Sequence, residues 1–114
     1  MTNCEPGDVV LVRFPFTDLT TSKKRPALVI SPNDFSRRYG DVVLIALTSQ
    51  PQRETDHALQ DWQSAGLPKP TWLKPLMATL SATIVERRLG KLSSIDCTRA
   101  GLLLRTLIAP VFTS

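Results

Sequence analysis

Arginine and threonine side chains at the ends of two apolar runs could together stabilise negative charge on an oxyanion. Arg25 precedes Pro26 and the run 27–30, and Thr48 closes the run 42–47. A guanidinium stays charged at physiological pH and gives two parallel hydrogen bonds to phosphate oxygens, whereas a hydroxyl donates one bond while it accepts another. Preorganised donors aimed at developing charge are usually the largest catalytic contribution. Because its proton is held so tightly, Arg25 suits transition-state stabilisation better than proton abstraction.

Three predicted strands must position this pair. Apolar runs bounded by Gly, Pro, Asp and Ser indicate the strands. Five strands are predicted, and the first three, at residues 8–14, 25–31 and 41–48, are those that position the pair; the others are predicted at 71–75 and 83–88. The residue before a proline is restricted to extended backbone, and if the first three strands pair, their ends bring Arg25 and Thr48 together. Structural alternatives stay open, because Arg25 could pair with Asp8 or Asp18, and Thr48 with Ser49 could form a turn.

Two short helical turns are predicted between the strands. Residues 31–38 have a proline near the start and polar caps, and residues 61–65 form a turn that Gly66 can close in the left-handed conformation. Nine prolines in 114 residues argue against extensive helix, because proline lacks the backbone donor. The chain is therefore predicted to be mainly β with α, as one domain over residues 1–114.

One long helix is predicted at the end of the chain. Ser93 can cap it, Asp96 favours its positive N-terminal end, and Pro110 is expected to stop it. Apolar residues at helical spacing form one broad face of this helix: Cys97, Ala100, Leu103, Leu104, Leu107 and Ile108. This face must pack on the sheet or on a second subunit.

Composition disfavours several kinds of protein. No apolar run approaches membrane length, and the first residues lack the pattern of a secretory signal, so a cytoplasmic protein without membrane contact is predicted. Cys4 and Cys97 are far apart and read as reduced thiols, with a disulfide left open. The chain has one histidine, His57, and no close Cys or His pair, so no metal or cofactor is expected.

Positive charge is concentrated in the later part of the chain. Residues 69–114 carry seven Lys or Arg against two acidic residues, whereas residues 1–68 carry seven against eight. Phosphate-rich ligands would be drawn to the later part, particularly at Arg87, Arg88 and Lys91. The alternative is that these are solvated strand and turn charges.

An ordered set of sequence blocks resembles the MazF/PemK toxins. The blocks are residues 7–12, 14–18, 24–31 and 47–49, with weaker similarity at 65–67, 71 and 88–93. This resemblance implies a small SH3-like antiparallel barrel with a C-terminal helix, assembled as a homodimer. It also implies a type II toxin–antitoxin system, in which the toxin cleaves single-stranded RNA sequence-selectively without metal and is restrained by a cognate antitoxin.

The resemblance assigns roles to individual side chains. Arg25 and Thr48 match the catalytic pair. Lys23, Lys24, Ser49, Arg87, Arg88 and Lys91 are the predicted RNA-binding residues. Phe16, Trp62 and Trp72 are candidates for stacking on unpaired bases, with burial in the core as the alternative. The polar first connection from residue 17 to 26 could fold over bound RNA.

The chain departs from the family at positions where several members have side chains that are assigned to acid chemistry. Residues 71–76 contain no carboxylate, and residues 17–24 contain no histidine. Members that rely on the Arg and Thr pair would tolerate this, and His57 is a possible substitute acid. Two other functions remain open: a protein-directed toxin of the same fold, like the gyrase poison CcdB, and a degenerate member that binds RNA without cutting it.

Overall fold

The computed structural model describes residues 4–14, 23–53 and 57–113. Its elements, in chain order, are β1 Asp8–Phe14, β2 Lys23–Val29, α1 Asn33–Tyr39, β3 Asp41–Thr48, β4 Trp72–Ser81, β5 Val85–Lys91 and α2 Ser94–Thr113. A 3₁₀ turn, Ala82–Ile84, joins β4 to β5. Phe16, Asp18 and most of the first connection lie outside the described residues.

The five strands form one antiparallel sheet in the order β4-β3-β2-β1-β5. With its two helices this is an α+β fold, as predicted, and β1 and β3 have the predicted bounds. Among the described residues, β4 and β5 stay at the two edges and do not pair with each other, so hydrogen bonds do not close the sheet into a barrel. The three strands with the longest apolar runs occupy the centre.

Both faces of the central strands are buried. On one face, Val9, Leu28 and Ile45 pack in a cluster that includes Ala100 and Leu103 of α2. The opposite face carries a second cluster: Cys4, Val10, Val12, Ala27, Val29, Val42, Leu44 and Val85. Successive strand residues point to opposite faces, so burial on both sides explains why these strands read as continuous apolar runs instead of alternating ones.

Asp96 fastens α2 to the connection between β3 and β4. Its side chain is fully buried, and its two carboxylate oxygens accept hydrogen bonds from the backbone N–H groups of Gln60 and Asp61, each at 2.8 Å. Ser93 caps the helix by accepting from the Asp96 backbone N–H at 3.3 Å. Hydrogen bonds to a charged acceptor contribute about 1.5–3 kcal/mol, so Asp96 has a larger structural role than the helix-end preference predicted for it.

The β4 strand is longer than predicted. It runs from Trp72 to Ser81, although most of its later residues are exposed. Pairing with β3 extends it, and the register shifts between Ile45 and Leu47, opposite Pro75. The predicted strand ended at Pro75. Proline is tolerated on an edge strand or at such an irregularity, so β4 continues past it.

The end of α2 also differs from the prediction. Pro110 does not stop the helix, which continues to Thr113 with Pro110 inside it. Pro110 is exposed, and water can satisfy the carbonyl that loses its partner at such a position. The predicted apolar face is buried only in part: Ala100 and Leu103 are in the core, whereas Leu107 and Ile108 are about 40% exposed.

Candidate active site

The register of β2 and β3 places Arg25 and Thr48 at the same end of two adjacent strands. The recorded pairs run from Val29 with Leu44 to Ala27 with Ala46. Arg25 and Thr48 each lie two residues beyond the last pair, in the same direction, so the register continued to them sets them opposite each other. Residues two apart on a strand share a face, so both lie on the face of Ala27 and Ala46.

Arg25 is an exposed strand residue beside a buried apolar neighbour. Its backbone position on β2 is opposite Val12 of β1, which is fully buried. No hydrogen bond or ion pair engages the Arg25 side chain within the described ranges. Asp8, one of its two possible partners in the sequence, instead pairs with Arg88. The Arg25 guanidinium therefore keeps all its donors available to a ligand, as far as the described residues are concerned.

Thr48 is half-buried and its hydroxyl is oriented by the backbone. Oγ1 accepts a hydrogen bond from the N–H of Gln50 at 3.2 Å, which forms a short turn around the exposed Ser49. The predicted turn is therefore present, and it leaves the hydroxyl proton of Thr48 to donate elsewhere. A structural and a chemical role are compatible in this residue.

An aromatic residue lies on the other side of Thr48. Trp72, the first residue of β4, is half-buried and pairs with Thr48, and it also bridges to Ala58. His57 precedes Ala58, on the side of Trp72 away from Thr48, and within the described residues its side chain makes no hydrogen bond or ion pair. Trp62 packs against the core instead. Trp72 is thus the one stacking candidate that the described residues place beside the pair.

The predicted RNA-binding cations fall into two separate groups. Lys24 lies one residue before Arg25, and its ammonium contacts Glu86 at 3.0 Å. Arg88 and Lys91 contact Asp8 at 3.3 Å and Glu5 at 3.3 Å. Val12, opposite Arg25, lies four residues along β1 from Asp8, a distance of about 13 Å. Arg88 and Lys91 therefore belong to the far end of β1.

The remaining predicted cations are Lys23 and Arg87. Lys23 begins β2, where its backbone pairs with Phe14. Arg87 is exposed and stands opposite Leu11 of β1, and within the described residues it makes no ion pair. Arg87 therefore lies between the two groups.

Arg88 has a structural role that the amino-acid sequence did not reveal. Asp8 is 2% exposed, and its Oδ2 accepts from the backbone N–H of Glu5 at 2.9 Å, while its Oδ1 has no hydrogen-bond partner within the described chain. The Arg88 guanidinium at 3.3 Å supplies the compensating charge. A buried carboxylate without a nearby cation is costly, so part of the Arg88 charge is committed to the fold.

Two exposed carboxylates are held in ion pairs. Hydrogen bonds from Arg13 and then from Lys24 lower the pKa of Glu86, and hydrogen bonds from Lys91 and then Asn33 lower the pKa of Glu5. Since both pKa values are lowered, these pairs favour the folded state above the ordinary Glu pKa and lose that contribution as the pH falls through the lowered values. Both carboxylates remain charged at neutral pH.

The two cysteines differ in exposure. Cys4 is buried, and burial, followed by the negative charge of Asp8, raises its pKa. Cys97 is exposed, and no disulfide joins it to Cys4. No group of three or more His, Cys, Asp or Glu within the described ranges could hold a metal ion.

A family model identifies the family of this chain. A family model described as the PemK-like, MazF-like toxin of type II toxin–antitoxin systems matches residues 5–108. The chain belongs to this toxin family. The family resemblance predicted from the sequence blocks is thus confirmed. No curated protein matches the toxin at a significant level.

Solved structures share the fold of the toxin at low sequence identity. A mycobacterial endoribonuclease in complex with its cognate antitoxin is 20% identical, with a TM-score of 0.72 and 96% of both chains covered. A MazE–MazF complex from Deinococcus radiodurans is 17% identical, with a TM-score of 0.77 over 95% of this chain and 98% of that one. The Mycobacterium tuberculosis toxin MazF-mt6 is 13% identical, with a TM-score of 0.70 over 90% and 96%. These likenesses establish the fold.

Membrane insertion finds no support in the helices. In the part of the toxin that the structure describes, neither helix combines the length and apolar composition that a bilayer crossing requires.

Proposed function

We propose that this toxin is a metal-independent endoribonuclease that cleaves single-stranded RNA sequence-selectively, with Arg25 and Thr48 at the reacting phosphate. The observation that supports the proposal is that Arg25 and Thr48 lie at the same end of β2 and β3, each two residues beyond the last backbone pair. Within the described residues the arginine has no ion-pair partner, and the hydroxyl is oriented by the Gln50 N–H. The family and the endoribonucleases of the same fold support the reaction type.

Cleavage without metal requires the protein to stabilise two developing charges. When a ribose 2′-oxygen attacks the adjacent phosphate, it loses its proton to solvent and forms a bond to phosphorus, while the bond from phosphorus to the 5′-oxygen of the next nucleotide breaks and that oxygen takes up a proton. Negative charge builds on the attacking oxygen and then on the phosphorane oxygens. Arg25 can give two hydrogen bonds to the phosphorane. Thr48, whose oxygen already accepts from the Gln50 N–H, has its proton left to donate to a phosphate or leaving oxygen. Trp72 could stack on a base beside the cleaved bond.

The proposed assembly and partners follow the family. We expect a homodimer, active in the cytoplasm as a single domain, with RNA bound by Lys23, Lys24 and Ser49 near the pair and by Arg87 farther along β1. Arg88 and Lys91 would take a more distant part of the strand. A cognate antitoxin would restrain the toxin by placing an acidic, flexible segment over the basic surface. Two structures of the same fold contain an antitoxin, which supports this partner.

Digestion of long RNA in excess EDTA tests the proposed function. Cleavage should proceed despite the chelator, because the described residues contain no cluster suited to a catalytic ion. It should be confined to a limited set of sequences. The ends are mapped by primer extension, and Arg25→Ala protein purified in parallel reports any contaminating nuclease.

Three results would contradict the proposal. Activity that disappears in EDTA and returns with Mg²⁺ would exclude a metal-independent mechanism. Intact RNA would favour a binding protein that does not cut. Intact RNA together with specific capture of gyrase would favour the protein-directed function.

A further inference from the structure

Glu86 holds two cations at the end of the β1–β2 pair. One of its carboxylate oxygens contacts Nε of Arg13 at 2.6 Å, and the other contacts Nζ of Lys24 at 3.0 Å. Arg13 and Lys24 are cross-strand partners on β1 and β2, while Glu86 belongs to β5. The sequence marked Lys24 as a binding residue but gave no reason to notice Arg13 or Glu86, which are 73 residues apart.

This cluster is adjacent to the proposed catalytic arginine. The pair of Arg13 and Lys24 is next to the pair of Val12 and Arg25 in the β1–β2 ladder. The two pairs are about 3.3 Å apart along the strands. Successive residues alternate between faces, so the cluster and Arg25 lie on opposite sides of the same strand end. The side chains of Arg13 and Lys24 are 55% and 51% exposed, so both can reach a ligand in solvent.

The shape of the contact resembles that of a bound phosphodiester. The two oxygens of the Glu86 carboxylate each contact a different cation. The two non-bridging oxygens of a backbone phosphate would bind in the same way. We propose that Arg13 and Lys24 form a subsite for an RNA backbone phosphate, and that Glu86 occupies this subsite until RNA displaces it. The inference rests on the proposed function, since it assumes that single-stranded RNA is the ligand.

Exchange at this subsite should require little free energy. Ion pairs between exposed side chains contribute little to stability, so a phosphate can replace the carboxylate easily. A glutamate is ionised at neutral pH, and hydrogen bonds from Arg13 and then Lys24 lower the pKa of Glu86 further, so the competition persists under working conditions. Glu86 thereby weakens the sequence-independent attraction between the protein and RNA phosphates. The affinity for RNA then depends more on contacts to bases.

The first test compares Glu86→Gln with the wild type in binding a 2′-O-methyl oligonucleotide, which lacks the attacking hydroxyl and stays intact. The affinity of the variant should rise, and the slope of log K against log salt should steepen by about 0.7 for each contact that forms, or about 1.4 for two. Asp34→Asn is the matched control, since it removes one exposed negative charge on α1 that makes no described ion pair. Equal gains in Glu86→Gln and Asp34→Asn would overturn the inference.

A double-mutant cycle tests the competition directly. Arg13→Gln should cost more affinity in the Glu86→Gln background than in the wild type, where Glu86 already occupies Arg13. Equal costs in both backgrounds would overturn the inference. Glu86→Ala should reproduce Glu86→Gln, which excludes an effect of the introduced amide, and thermal unfolding verifies that all variants fold.

The failure of this inference can be distinguished from that of the proposed function. Binding to the uncleavable strand reports on the subsite whether or not the protein cuts RNA. Cleavage by the wild type in EDTA with no effect of Glu86→Gln on binding would reject the subsite alone. Intact RNA with a steeper salt slope in Glu86→Gln would reject the nuclease and keep the subsite.

Discussion

Replacement of Arg25 with alanine is expected to lower the rate of single-turnover RNA cleavage by about 10²–10³, the usual cost of removing one preorganised donor. The free energy of unfolding should hardly change, because Arg25 is exposed and the described residues give it no ion-pair partner. Arg25→Lys should recover part of the rate, since an ammonium keeps the charge but lacks the planar fork. Saturating protein removes the binding step from the measurement.

The matched control for this prediction is Arg37→Ala. Arg37 is an exposed arginine in the last turn of α1, which precedes the start of β3, whereas Thr48 ends that strand. Its removal changes the net charge equally and should leave the single-turnover rate at the wild-type value. If Arg25→Ala also cleaves at the wild-type rate, Arg25 does not contact the reacting phosphate, and the assignment of the pair is wrong.

Gly66→Ala is expected to be the most destabilising single substitution among the glycines. The φ angle of Gly66 is +84°, and a Cβ there would overlap the carbonyl oxygen of Leu89 in β5. A left-handed backbone costs a non-glycine residue about 1–2 kcal/mol, and steric overlap about 1–3 kcal/mol. The free energy of unfolding, measured by urea denaturation, should therefore fall by at least about 2 kcal/mol.

Three other glycines separate the two causes. Gly90→Ala adds only the overlap, with the carbonyl of Ala65, whereas Gly40→Ala adds only the left-handed strain, since its φ is +71° and nothing lies within 4 Å. Gly101→Ala adds neither and should stabilise α2 by about 0.5–1 kcal/mol. A Gly66→Ala protein as stable as Gly40→Ala would show that the turn and β5 are not in backbone contact.

Local sequence signals predicted the bounds of two of the three central strands. The apolar runs of β1 and β3 are bounded by glycine, aspartate, proline or serine, and the bounds of both strands were predicted correctly. The strand predicted at 25–31 lies two residues earlier, at Lys23–Val29, so Arg25 lies inside β2 and does not begin it. A site formed at the ends of sequential strands is accessible to sequence reasoning, because neighbouring strands usually pair.

Contacts between distant parts of the chain could not be predicted in the same way. The ion pairs of Glu86 with Arg13 and of Arg88 with Asp8 depend on the pairing of β5 with β1, which are far apart in sequence. The second of these pairs gives Arg88, a predicted RNA-binding residue, a carboxylate partner within the fold. The second half of β4 was missed because it has no apolar pattern of its own. It is held in the sheet by pairing with β3.

One measurement tests the proposed chemistry most directly. After cleavage sites have been mapped, a short RNA is made with a single 2′-deoxy nucleotide immediately 5′ of the cut phosphate, beside an all-ribose control. Since the proposed mechanism uses that 2′-hydroxyl as the attacking group, the wild-type toxin in EDTA should cut the control and leave the substituted strand intact while binding both. Cleavage of the substituted strand at the same bond would contradict the mechanism.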